Sequence, residues 1–267
     1  MEHIHAALQK AKQQHGTKPV VSAGKAASPL TPEGQAVWRN LRPLSIDLRL
    51  AARNRLVTVT RSDPAHLQFD MMRTKVLQLL RQNRWTSIAI TSPSPACGKT
   101  VVSLNLAFSL AHHKECRTVL VDLDMRRPQV AKTLGMAKPP SIESFLKGHS
   151  QVEDVFVRYG NNVAIAANNR PVRFAAELLQ SPETAMALKG LKRKLHPNVI
   201  LFDLPPMLAN DDVMAFLPLV DCVILIAAAE QSTLGEIDIC EQELSEKSKV
   251  LGVVLNKCRY APEKYGY

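Results

Sequence analysis

Residues 91–101 read Thr91-Ser92-Pro93-Ser94-Pro95-Ala96-Cys97-Gly98-Lys99-Thr100-Val101. Their types and order suit the capture of a triphosphate. Several negative charges can be held by backbone N–H groups at a helix N-terminus, by a lysine, and by a hydroxyl that helps hold Mg2+. Here Lys99 is placed to reach the β and γ phosphates, Thr100 to ligate Mg2+, and residues 94–101 to line the nucleotide. Two positions depart from the common G-x-x-x-x-G-K-[ST] pattern: Pro93 stands where it starts, and Ala96 precedes Cys97. If position 96 requires a positive φ, alanine is strained there by ~1 kcal/mol or more. Cys97, at a helix N-terminus, has a setting that can lower a thiol pKa, but a small inert residue is the expectation.

Three acids follow apolar runs elsewhere. VLVDLDMRRP presents Asp122 and Asp124, then Arg126 as a candidate nucleotide contact, and VILFDLPPML presents Asp203 before Pro205-Pro206. An acid at a strand end beside a phosphate loop can orient Mg2+, and phosphoryl transfer to a hydroxyl also needs a proton acceptor. Asp122 and Asp203 are candidate Mg2+ residues. Asp122 or Asp124 is the candidate base, and the residues alone do not choose between them. Asn256, after GVVL, is a candidate for reading an adenine edge.

The elements that must position these groups alternate. Ile88 and Ile90 mark a strand before the loop, and Leu104, Ala107, Phe108 and Ala111 mark one face of the helix after it. Further strands are expected at 56–60 (at an edge), 117–121, 198–202, 221–227 and 249–255. Helices are expected at 33–44, 66–83, 173–180, 182–195, 211–219 and 233–246. The strands are continuous apolar runs, which predicts burial on both faces. The fold class is therefore α/β, a three-layer arrangement with a mainly parallel central sheet flanked by helices. Residues 1–34 read as a short helix (2–15, with Ile4, Ala7, Leu8 and Ala11 on one side) and a flexible basic linker. Residues 35–55 read as a helical lead-in, 56–258 as the nucleotide-binding domain, and 259–267 as a tail.

The chain has 267 residues, 46% hydrophobic and 22% charged, with a formal net charge of +10. That charge suits an anionic partner: nucleotide, nucleic acid or the cytoplasmic leaflet of a membrane. No apolar run is long enough for a transmembrane helix, and the polar start does not resemble a signal peptide. Five scattered cysteines suggest reduced thiols and a cytoplasmic setting.

Taken together, the motifs over roughly residues 56–267 resemble the bacterial protein-tyrosine kinases of polysaccharide synthesis and export. The loop 91–100 resembles that family's TS-x-x-P-G-x-G-K-[ST]. The stretch 119–126 resembles its second motif, D-x-D-x-R after apolar residues. Asp203-Leu204-Pro205-Pro206 resembles its D-x-P-P, and residues 176–181 its ELL-x-S. The resemblance implies Mg·ATP-dependent autophosphorylation, often in trans, on C-terminal tyrosines, here Tyr260, Tyr265 and Tyr267; only Tyr159 lies elsewhere. It implies regulation of exopolysaccharide or capsule export and a transmembrane chain-length or co-polymerase protein as activator. Self-association and a tyrosine phosphatase belong to the same picture. The expected location is the cytoplasm, with peripheral recruitment to the inner membrane, and nucleic acid is not an expected partner. The family's ring-forming E-x-x-R-x-x-R is degraded: one register gives Leu67, Asp70 and Arg73, another Ala36, Arg39 and Arg42. The nearest rival is a septum-site or partition ATPase, whose K-G-G-x-G-K-[ST] loop carries a second lysine where this chain has Ser94. A catalytically weak, nucleotide-bound scaffold is the other alternative.

Overall fold

A computed structural model describes residues 32–259. The expected N-terminal helix and most of its linker lie outside the described residues, as do Tyr260, Tyr265 and Tyr267.

Among the described residues eight strands form one sheet: β1 (Arg42–Pro43), β2 (Ser87–Thr91), β3 (Thr118–Asp122), β4 (Val157–Tyr159), β5 (Val163–Ala166), β6 (Val199–Asp203), β7 (Cys222–Ala228) and β8 (Lys249–Asn256). Their order is β1-β4-β5-β3-β6-β2-β7-β8. Every pairing is parallel except β4 with β5. Strands β2, β3, β6 and β7 are buried at every residue, because helices cover both faces and leave no polar side for alternation. One core layer holds Val121, Phe202 and Leu225 with the helices Pro182–Leu195 and Leu234–Lys247. The other holds Ile90, Leu120 and Ile224 with His66–Asn83 and Lys99–Ala111. The parallel strands β3, β6, β2 and β7 bring their C-terminal ends to one edge, where a ligand crevice is expected.

Several expectations are corrected. Residues 57–60 are a single helical turn rather than an edge strand. Their β-branched composition is overridden by Asn105, whose side chain accepts from the Thr58 amide (3.1 Å) and hydroxyl (3.0 Å). The first described helix is Pro32–Asn40, stopping short of 44. Pro43 cannot continue it, and Arg42–Pro43 pairs with β4 instead. The expected helix at 211–219 is Asp212–Phe216 followed by a 3-10 turn, Leu217–Leu219. β8 is not buried on both faces: it is an edge strand with alternating exposure. β4 and β5 are too short for their periodicity to announce them.

The lead-in does not stand apart from the domain. Trp38 and Leu41 are buried in the first core layer, and Trp38 Nε1 donates to the Leu195 carbonyl (2.9 Å). Trp38→Ala is therefore expected to lower stability by about 3–5 kcal/mol, the usual range for a buried tryptophan. Urea unfolding measures this, and an unchanged midpoint would show that the domain begins only at Leu56.

Candidate functional site

β2 hands the chain to the loop at Thr91, whose hydroxyl donates to the Pro205 carbonyl (2.7 Å). The loop then closes on itself. Ser92 Oγ and Cys97 Sγ both donate to the Ser94 carbonyl, at 2.8 and 3.2 Å. From outside, Gln231 Nε2 donates to the Pro95 carbonyl (2.7 Å) and Asn256 Nδ2 to the Cys97 carbonyl (2.9 Å). With carbonyls turned to these partners, the loop and the first turn of Lys99–Ala111 form a helix N-terminus suited to anions.

Backbone conformation explains one glycine and questions one alanine. Gly98 has φ +89°, and a Cβ there would lie 2.2 Å from Asn256 Nδ2. Ala96 has φ +64°. The left-handed conformation suspected at position 96 is therefore present, and alanine bears its strain. Cys97 is fully buried. Burial alone would raise its thiol pKa, but hydrogen bonds from Ser232 and Ser94 bring it below the usual value. With no exposed surface, this thiol fits the inert role.

The charged groups converge at the strand ends. Asp122 and Asp203 are register partners on β3 and β6, and both are fully buried. Thr100 Oγ1 donates to Asp203 Oδ2 (2.6 Å), and Ser103 Oγ to Asp203 Oδ1 (3.1 Å). Asp122 accepts from the amides of Asp124 and Val130, each at 3.2 Å. Lys99 Nζ pairs with Asp124 Oδ2 (2.8 Å). Burial pushes the Asp203 carboxyl up to about 6, although Lys99 and Thr100 pull it down. Burial, followed by the charge of Asp203, raises Asp122 well above the carboxylate range. Burial would lower Lys99, yet Asp203 and Asp124 leave it raised overall. The lysine therefore carries its charge into the site at any ordinary pH.

These residues fit a nucleotide held with Mg2+. Among the described residues no group of three or more His, Cys, Asp or Glu gathers around a metal position. A phosphate-bound Mg2+ needs no such cage, since it keeps waters and phosphate oxygens and takes only one or two protein ligands. The Thr100–Asp203 pair provides that number, with Asp122 beside it.

Two residues expected at the nucleotide have protein partners. Arg126 is engaged by Asp212 through two hydrogen bonds of 2.8 Å, so its guanidinium fixes the turn after β3 to the helix Asp212–Phe216. Asn256 donates its amide Nδ2 to the loop backbone at the Cys97 carbonyl. Ser103, Gln231 and Asp212 were not anticipated. Ser103 was findable, since helical spacing puts it on the Thr100 side, whereas Gln231 and Asp212 reach their partners only through the tertiary fold. In the degraded ring motif, Arg73 is held within the chain by Asp70 (2.8 Å) and the Ser109 carbonyl (3.0 Å), and Arg61 also pairs with Asp70. Glu177, Leu178 and Ser181 of the ELL-x-S stretch line a cavity of about 410 Å³ together with Lys147, His149 and Arg173; no loop residue borders it.

Ala96→Gly relieves roughly 1–2 kcal/mol of left-handed strain against roughly 0.5–1 kcal/mol of added chain entropy. It is expected to stabilise the protein by up to about 1.5 kcal/mol and to tighten nucleotide binding. Gly98→Ala is expected to abolish binding, and thermal unfolding with nucleotide titration tests both. Because Asp122 and Asp203 hold protons more tightly than free carboxyls, Mg2+ must displace protons to bind. Mg·nucleotide affinity should fall as pH drops through about 6. Calorimetry in buffers of different ionisation enthalpy should show proton release there, and an affinity flat from pH 5 to 8 would contradict the assignment.

Residues 88–264 match the model of the CobQ/CobB/MinD/ParA nucleotide binding domain. The chain is similar to the putative tyrosine-protein kinase EpsB of Ralstonia nicotianae, 28% identical over 207 residues, covering 77% of this chain and 27% of that protein. It thus spans about a quarter of that relative's length. The tyrosine-protein kinase CpsD of Streptococcus pneumoniae serotype 4 is 29% identical over 190 residues, 67% of this chain and 79% of that one. Among solved structures, the kinase domain of Escherichia coli tyrosine kinase ETK superposes with a TM-score of 0.70 at 20% identity, over 90% of this chain and 100% of that one. At that identity the superposition speaks for the fold. The domain model covers well over half of the chain, and together with the loop and the paired strand-end acids it shows that this protein belongs to the CobQ/CobB/MinD/ParA nucleotide-binding domain family.

Proposed function

We propose that this chain is the catalytic domain of an ATP-dependent protein-tyrosine autokinase that regulates exopolysaccharide or capsule synthesis and export. The observation that carries this reading is the pair Asp122 and Asp203 at adjacent strand ends beside Thr100. One acid and the hydroxyl suffice for Mg2+, which leaves a second acid for a proton. The names of the relatives, tyrosine-protein kinases, support the same reaction.

In this mechanism Lys99 turns from Asp124 to the phosphates, and the loop amides hold them in line. Thr100 and Asp203 would hold Mg2+, which would offset the phosphate charge, while the substrate ATP supplies the electrophilic phosphorus. Asp122, whose proton affinity is raised, accepts the proton of the attacking tyrosine hydroxyl. The oxygen of the tyrosine forms the new P–O bond as the bond to the leaving ADP breaks. Asp124 holds Lys99 in place and receives it again after ADP leaves. The acceptors are Tyr260, Tyr265 and Tyr267, supplied by a second copy. Tyr159 is excluded as an acceptor by its half-buried ring, packed edge-on against Phe108.

A transmembrane chain-length or co-polymerase protein is the proposed activator, with a tyrosine phosphatase as counterpart. No helix among the described residues is long and apolar enough to cross a membrane; membrane recruitment by that partner is part of the proposal. A ring closed through the E-x-x-R-x-x-R helix is disfavoured, because Arg73 is already engaged with Asp70 and Ser109. The partition-ATPase reading is disfavoured by Ser94 in place of the second loop lysine.

Incubation with Mg·ATP followed by phosphotyrosine detection tests the reading. Lys99→Met and Asp122→Asn are each expected to lower the rate by about 10²-fold or more, and Tyr159→Phe to leave it unchanged. No phosphotyrosine, even with the membrane partner present, would sink the kinase. ATP turnover stimulated by DNA or lipid would favour the partition ATPase.

A further inference from the structure

The helix Leu234–Lys247 and the edge strand β8 expose a face that the nucleotide site does not use. Four large apolar side chains are open on these two elements: Leu234 (64% exposed), Ile239 (50%), Val253 (44%) and Leu255 (60%). Val253 and Leu255 are register partners of Leu225 and Ala227 on β7. Leu225 lies in the same core layer as Cys240 and Leu244 of that helix. Val253 and Leu255 therefore stand on the helix's side of the sheet, beyond the part it covers. Among the described residues β8 pairs only with β7, and no described strand covers its outer edge.

The face is also acidic in a basic protein. The helix carries Glu236, Asp238, Glu241, Glu243 and Glu246 against a single basic residue, Lys247, while the chain as a whole has a net charge of +10. Lys249 at the start of β8 and Lys257 beyond its end flank the face, and Arg259 pairs with Glu230.

A segment of matching chemistry lies in the same chain. Residues 1–31 hold one acid, Glu2, against Lys10, Lys12, Lys18 and Lys25. At helical spacing, Ile4, Ala7, Leu8 and Ala11 form one apolar stripe with Lys10 and Lys12 on either side of it. The sixteen residues from Gly16 to Thr31 can span up to ~50 Å from Pro32, enough to reach any face of a domain this size.

We propose that residues 2–15 dock on this face of their own chain. Ile4 and Leu8 cover Val253 and Leu255, and Lys10 and Lys12 meet the acids of the helix Leu234–Lys247. The occupied face adjoins the phosphate loop at two points. Asn256 ends β8 and donates to the Cys97 carbonyl, while Gln231, just before the helix, donates to the Pro95 carbonyl. Docking therefore bears on the loop through the two side chains that hold its carbonyls.

Hydrogen exchange on the full-length protein tests this. In Ile4→Asp/Leu8→Asp, peptides covering 234–247 and 249–256 are expected to exchange about tenfold faster than in the parent, with the thermal midpoint little changed. Lys10→Glu/Lys12→Glu should loosen the same peptides, and adding Glu241→Lys/Glu246→Lys should restore protection. Equal exchange in parent and both N-terminal variants overturns the proposal. Protection lost on dilution would assign the face to a second copy, and protection seen only with anionic phosphatidylserine vesicles would assign it to a membrane. Either result overturns docking within the chain.

Discussion

Two carboxyls with no exposed surface, Asp122 and Asp203, sit side by side at the ends of β3 and β6. Desolvation raises the proton affinity of both, and neighbouring acids raise it further, Asp203 acting on Asp122 and Asp124 on Asp203. The surrounding structure can be read as the means of holding them there. Two backbone amides face Asp122, two hydroxyls face Asp203, and the Lys99 ammonium stands within the same electrostatic field. Parallel strands supply the coincidence, since β3 and β6 must end at the same edge to be in register. A divalent cation and a polyphosphate are the chemistry that such a cluster suits.

The loop is the second constraint, and its carbonyls are held from the β7–β8 side of the sheet. Its carbonyls are taken by Gln231 and Asn256, residues far away in sequence that follow β7 and end β8. The loop therefore depends on the edge strand being in place, although β8 carries none of the acid motifs. Gly98 is required by the close approach of Asn256. Ala96 occupies a left-handed conformation without that necessity of space, so its strain is local and relievable.

Much of the architecture was legible in the chain. The helices over 66–83 and 182–195 fall where they are expected, and the structure adds that the Ser181 hydroxyl caps the second by accepting from the Thr184 amide. The buried strands are legible because a parallel sheet covered on both faces leaves continuous apolar runs. Residues 57–60 were misread because Val and Thr favour strands in general, and only the side chain of Asn105 makes a helical turn there. β8 was misread because a run of apolar residues looks the same at an edge as in the centre of a sheet.

The sequence by itself determined which groups could do chemistry: Lys99 and Thr100 behind a glycine, and three aspartates at the ends of apolar runs. Local spacing encodes these, because the loop, its helix and the strand ends are contiguous in the chain. The tertiary structure alone decided how the groups are paired. It gave Lys99 to Asp124, Thr100 to Asp203, Arg126 to Asp212 and the Asn256 amide to the loop. Each of those pairs joins residues at least 25 positions apart, and their meeting depends on strand order, which no local pattern records.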